Sequence, residues 1–174
     1  MTRRKLAKAI YDTAHITGEF LLRSGTTSNE YFDKYLFEAQ PMLLREIAEH
    51  LRTMLPPDVE VLAGLELGGV PIASVLSQCT NIPAAFVRKK AKDYGTCKLA
   101  EGADVKAKLI VVVEDVVTSG GQVVISSNDL RNHGANILCA VCVIDRESGG
   151  KEALAKVGIE LRALFTMSEL KASV

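Results

Sequence analysis

Strand-like and helical stretches alternate along this chain, and the strand-like runs are apolar at almost every position. Together these features predict an α/β fold with a mainly parallel sheet flanked by helices, because a strand covered on both faces has no use for polar alternates. Prolines and glycines mark many of the joins. The first element is a helix within MTRRKLAKAIYDTAH, where Leu6, Ile10 and Ala14 recur at four-residue spacing. PMLLREIAEHLRTML (41–55) puts Leu43, Leu44, Ile47, Leu51 and Leu55 on one face, starts on Pro41 and is stopped by Pro56 and Pro57. VEVLAGL (59–65) is a short strand, VPIASVLSQC (70–79) a helix and IPAAFVRK (82–89) a second strand. KLIVVVED (108–115) is a third strand, expected to be buried on both faces. GGQVVISSNDLRNHG (120–134) is a helix closed by Gly134. ANILCAVCVID (135–145) is a strand, GGKEALAKVG (149–158) a helix and IELRALFTM (159–167) a last strand.

A chain of 174 residues suits one domain with a real core. Lys and Arg total 21 and Asp and Glu total 21, so no global charge points to nucleic acid or to an anionic membrane. No apolar run reaches the roughly 20 residues of a membrane span. The basic N-terminus lacks the apolar core and cleavage site of a secretory signal. Cys139 and Cys142 form a lone C-x-x-C inside a strand, which directs residues three apart to opposite faces. Without a second ligand pair they are expected to be buried reduced thiols, as in a cytoplasmic protein. His15, His50 and His133 stand in no motif, and His133 is expected to serve as a helix-end contact.

The stretch most charged with chemistry is VVVEDVVTSGGQ (111–122). Glu114 and Asp115 end the most apolar strand, where ligands of open parallel sheets bind. Val116 and Val117 lead to Thr118, Ser119, Gly120 and Gly121, which with Gln122 enter a helix. A helix start offers unpaired N–H groups to an anion, glycines let the backbone close on it, and the two hydroxyls add donors. The carboxylates beside it suit sugar hydroxyls, or Mg²⁺ through water. Phosphate donors and hydroxyl acceptors side by side are what a ribose 5-phosphate needs. G-x-x-x-x-G-K-[ST] and G-x-G-x-x-G are both absent, so neither a P-loop nor a dinucleotide site is supported.

EDVVTSGG after a run of valines resembles the phosphoribosyl-pyrophosphate (PRPP) motif of the type I phosphoribosyltransferases. Other segments are similar to the orotate branch of that family: FLLRSGTTSNEYFD (20–33) to its substrate segment, GLELGGVPIA (64–73) to its glycine-rich loop, VRKKAKDYGTCKLAEG (87–102) to its basic loop and VIDRESGGKEAL (143–154) to its Asp-Arg segment. The matches keep the family's order over roughly residues 15–165. The resemblance implies a type I phosphoribosyltransferase fold in a single domain, 1–174, with a small hood contributed by about 1–38 and the C-terminal segment.

It also implies roles. Arg88, Lys89, Lys92 and Tyr94 are expected to contact PRPP, Arg88 and Lys92 as catalytic cations, with Lys92 the main lysine of the loop. Many family members carry histidine where Tyr94 stands, and tyrosine offers a hydrogen bond without a charge. Asp115 joins Arg88 and Lys92 as a catalytic residue. Arg23 is expected to reach phosphate or orotate, and Tyr31 and Phe32 to stack on the planar ring. Thr118 is matched to the ring's polar edge and Arg146 to the orotate carboxylate, which a guanidinium can hold bidentately. Mg²⁺ is expected to be held mainly by PRPP, with Glu114 and Asp115 nearby. No side chain reads as an activated nucleophile, which fits a displacement driven by leaving-group stabilisation and positioning. The implied reaction joins orotate and PRPP to give orotidine 5′-monophosphate and pyrophosphate in a homodimer whose basic loop, 88–100, reaches the neighbouring site. Transfer to another purine or pyrimidine base, or a non-catalytic PRPP-sensing regulator, would share 111–122. Arg146 together with 20–33 favours orotate, and the loop lysines and balanced charge speak against a regulator.

Overall fold

The computed structural model describes residues 1–21, 25–90 and 98–174. The chain opens with α1 (Arg3–Ala14) and an antiparallel hairpin, β1 (His15–Leu21) and β2 (Thr27–Phe32), followed by α2 (Lys34–Glu38) and α3 (Pro41–Arg52). The sheet strands are β3 (Val61–Leu65), β4 (Ala84–Val87), β5 (Ala100–Gly102), β6 (Leu109–Val117), β7 (Asn136–Asp145) and β8 (Leu161–Thr166). Between and after them run α4 (Gly69–Thr80), α5 (Gly121–Asn132), α6 (Gly150–Lys156) and α7 (Met167–Lys171). Among the described residues the sheet order is β5-β4-β3-β6-β7-β8, parallel throughout except for the edge strand β5.

The continuous apolar runs are explained by two cores. Val111 and Val113 of β6 face one core with α1, α3 and α4, while Ile110 and Val112 face the other with α5 and α6. The C-x-x-C pair is split the same way: Cys139 lies in the first core and Cys142 in the second, both as free thiols. Burial pushes both thiols up, Cys139 to about 11, so neither is a thiolate at neutral pH. Among the described residues no helix is long and apolar enough to cross a membrane.

The structure corrects the element list at its polar ends. Of residues 20–33, given no secondary structure from the sequence, the described ones lie largely in the hairpin, whose strands bury little and carry no apolar alternation. The stretch 96–102, which has no evident period, holds the three-residue β5. The last strand ends at Thr166, where a capping box with Glu169 starts α7. Asp33 caps α2 by accepting the Tyr35 amide, and its own amide bonds the Ala14 carbonyl, which ties the hairpin back to α1.

Candidate functional site

The carboxyl ends of β6 and β7 meet side by side, with Val117 paired to Asp145 and the Arg146 amide donating to the Val117 carbonyl at 2.8 Å. Beyond β6, Thr118 and Ser119 are exposed. Gly120 then turns the chain at φ 76°, and a Cβ there would stand 2.6 Å from Leu154 Cδ1 and 3.1 Å from Gly150 Cα. Only glycine fits both the conformation and the gap. Helix α5 starts on Gly121 without a side-chain cap, so its first-turn amides and the two hydroxyls face outward together. A turn of this form can offer donors to an anion.

The acidic pair differs from the expectation of open acceptors. Asp115 has no exposed surface, and Glu114 is buried beside it. Asp115 Oδ1 accepts the Val116 amide, and Glu114 Oε1 accepts the Asp115 amide at 2.9 Å. Lys34 Nζ of α2 lies 2.5 Å from Asp115 Oδ2. Glu38, one turn further along α2, is also buried, and its Oε1 receives no hydrogen bond. Gly68 closes the fourth side, where any Cβ would collide with the Asp115 carboxylate. Three carboxyls thus crowd around one ammonium. Burial, with the Asp115 charge and hydrogen bond, raises Glu114 well above the ordinary range and pushes Glu38 up to about 9. Burial also works against charge on Asp115, but hydrogen bonds from Glu114 and Lys34 outweigh it and hold Asp115 low. The negative charge of the cluster is therefore favoured on Asp115, and the proton on Glu114 and Glu38. The Lys34 ammonium, disfavoured by burial, is kept charged by the same contact with Asp115.

Lys34 and Glu38 were not singled out from the sequence, nor was the part that Gly68 plays. A signal existed in D-K-Y-L-F-E, an Asp cap followed by a Lys and a Glu one helical turn apart on the same face. What no sequence pattern carries is that this face meets the end of β6.

A cleft of about 380 Å³ opens between the hairpin and the ends of β6 and β7. Tyr31, Phe32, Thr118 and Arg146 all line it, together with Lys34, His15 and Lys171. Tyr31 is 44% exposed and tilts against Phe20 at 5.5 Å, so its ring is an open wall of the cleft. At the rim His15 stacks on Tyr11 at 4.8 Å and its Nε2 lies 2.8 Å from Glu30 Oε2, with Lys171 4.0 Å from the other Glu30 oxygen. His15 is therefore a cleft residue that no motif revealed. His133 makes the expected helix-end contact, its Nδ1 lying 2.7 Å from the Asp129 carbonyl.

Of the basic segment, Arg88 and Lys89 are described and are anchored. Arg88 Nε stands 3.9 Å from Glu101 Oε1, and the Lys89 amide donates to Glu66 Oε1 at 2.7 Å. Lys92 and Tyr94, and likewise Arg23, lie outside the described residues. Among the described residues no cluster of three His, Cys, Asp or Glu side chains is arranged to hold a metal ion. With Asp115 paired to Lys34 and Glu114 buried beside it, the donor set fits a Mg²⁺ ligated mainly by the oxygens of a bound substrate, and not an all-protein cage.

The profile described as phosphoribosyl transferase domain matches residues 37–166. The chain is 51% identical over 168 residues to an orotate phosphoribosyltransferase of Nocardioides sp., covering 97% of this chain and 94% of that protein. The orotate phosphoribosyltransferase of Mycobacterium tuberculosis H37Rv, solved with inorganic phosphate, superposes with a TM-score of 0.87 at 26% identity, over 97% of this chain and 98% of that one. The same enzyme solved with PRPP gives a TM-score of 0.84 at 25% identity, again over 97% and 98%.

Proposed function

The chain belongs to the orotate phosphoribosyltransferase family, and from that premise we propose how its residues carry the transfer of the 5-phosphoribosyl group from PRPP to orotate, yielding orotidine 5′-monophosphate and pyrophosphate. The observation that supports the assignment of roles is the cleft in which Tyr31, Phe32, Thr118 and Arg146 come together beside the anion-binding turn.

Amides and hydroxyls of 118–122 take the 5-phosphate of PRPP. Glu114 and Asp115 face the sugar, and Asp115, the ionised member, accepts from a ribose hydroxyl. Arg146 holds the orotate carboxylate, Thr118 bonds the ring edge, and Tyr31 and Phe32 cover its faces. With the base fixed over the anomeric carbon, the ring nitrogen displaces pyrophosphate without a covalent intermediate on the protein. Negative charge grows on the leaving group, and Arg88, Lys89 and Lys92 neutralise it, with Arg23 and Tyr94 adding contacts to PRPP. Mg²⁺ bound to PRPP supplies further charge neutralisation, with Glu114 and Asp115 nearby. We assign the whole of 1–174 to one functional unit whose hood is α1, the hairpin, α2 and α7. It acts as a cytoplasmic homodimer in which loop 88–100 reaches the neighbouring site; the free buried thiols suit a reducing compartment.

The test is the loss of orotate's ultraviolet absorbance with purified protein, PRPP and Mg²⁺. Loss that depends on both and vanishes in Asp115→Ala is the expected result. No loss, with PRPP binding retained in calorimetry, would move the reading to another base.

A further inference from the structure

Asp115 is sealed off in a way that the sugar-binding role does not explain. Its carboxylate has no exposed surface, so a ribose hydroxyl cannot reach it until one of its neighbours moves. The Val116 amide belongs to strand β6 and the Gly68 backbone to the loop after β3, and both are fixed parts of the fold. Glu38 on α2 and Glu114 on β6 are buried. Lys34 alone among these five is mobile in kind: its side chain is 33% exposed, four methylenes long, and already one wall of the open cleft.

We infer that Lys34 is a substrate-displaced gate on the sugar-hydroxyl acceptor. In the free chain its ammonium occupies Asp115 Oδ2 at 2.5 Å and keeps a buried carboxylate compensated. A ribose hydroxyl takes over that oxygen, and the ammonium swings into the cleft it lines, where anionic substrates gather. Lys34 is thus a positioning residue that makes recognition of the sugar hydroxyls a competition, whose cost comes out of the hydroxyls' contribution to binding. The inference rests on the assignment of the ribose to Glu114 and Asp115.

The experiment compares ribose 5-phosphate with its 2,3-dideoxy analogue by calorimetry. The ratio of their dissociation constants isolates the hydroxyls, since both ligands carry the same charge. In Lys34→Met the ratio should rise by roughly threefold or more, the strength of a partly exposed ion pair, while Lys34→Arg keeps it near the wild-type value. A ratio unchanged or smaller in Lys34→Met overturns the gate and makes Lys34 a static counter-ion. A wild-type ratio near one, not altered by Asp115→Asn, means instead that the sugar does not bind at Asp115, and the inference falls with that assignment. Should Lys34→Met fail to fold, the ammonium ¹⁵N resonance of Lys34 in the wild-type protein decides. Its shift on saturation with ribose 5-phosphate supports displacement, and an unmoved resonance overturns it.

Discussion

The two walls of the cleft are built by different means. On the sheet side, the turn 118–122 is made of backbone held by two cores, with Gly120 filling a gap that no side chain fits. On the hood side, Tyr31, Phe32 and His15 come from the hairpin, which buries little, and Lys171 from the exposed end of α7, and their contacts are a ring stack, ring tilts and exposed ion pairs. The rigid wall suits the part of the substrate that every phosphoribosyltransferase shares, and the side-chain wall the base that distinguishes them. Substitutions should then separate the two tasks: changes in the acidic pair and at Gly120 disturb sugar phosphate and fold, and changes at Arg146 or on the hood disturb the base.

The sharpest break is Asp115→Asn. It removes the one ionised carboxylate of the buried cluster, and kcat/KM should fall on the order of 10²–10³-fold, the scale of losing a preorganised electrostatic contact. The melting temperature should hold, because two protonated carboxyls remain to share hydrogen bonds with the amide. Steady-state kinetics beside a thermal melt checks both. Next is Arg146→Ala, which should raise the KM for orotate by about 30-fold or more, as expected when one partner of a close charge pair is truncated. The dissociation constant of PRPP, measured without orotate, should stay put. If both ligands weaken equally, Arg146 does not serve the base alone.

The contrast also explains what the sequence made legible. The order of sheet strands and helices was readable because Val111, Val113 and Cys139 must face one core while Ile110, Val112 and Cys142 face the other, leaving no room for polar residues. The anion turn was readable because its chemistry is local: Thr118 to Gly121 carry it in consecutive positions. The hairpin escaped because neither strand has an apolar face to alternate with. Helix α7 escaped although T-M-S-E is a capping box, because the apolar run of β8 leads straight into it. The Lys34 contact escaped for a deeper reason. An ion pair between α2 and the end of β6 depends on how the hood seats on the sheet, and neither segment encodes that alone.

On the sheet side Gly120→Ala tests rigidity directly. The left-handed φ and the short approach to Leu154 should cost about 1–3 kcal/mol of stability, read as a lower denaturant midpoint, with weaker PRPP binding. A variant that keeps both would show that the turn relaxes freely.

The acidic cluster at the seam between the walls gives a pH dependence. Folded, Glu38 keeps its proton up to about 9, whereas an ordinary glutamate releases it near 4.5. Between those values the folded chain binds more protons than the unfolded one, so this residue's contribution to stability is full below pH 4.5 and is lost as pH rises through 9. Glu38→Gln removes the titration. Its stability relative to wild type should therefore climb steadily from pH 5 to 9 in denaturant melts, and a constant difference would mean that Glu38 is ionised in the fold.

The smallest effect belongs to the hood rim. Lys171 stands 4.0 Å from Glu30 with more than half of each side chain exposed, so Lys171→Ala should leave the denaturant midpoint almost unchanged. The informative quantity is the KM for orotate. If the hood closes only loosely over the base, removing this cation from the cleft should move that KM by no more than a few-fold, and added salt should erase the difference. A much larger, salt-resistant rise would mean that Lys171 meets the substrate in a desolvated setting, and that the hood wall becomes as ordered as the sheet wall once the base is bound.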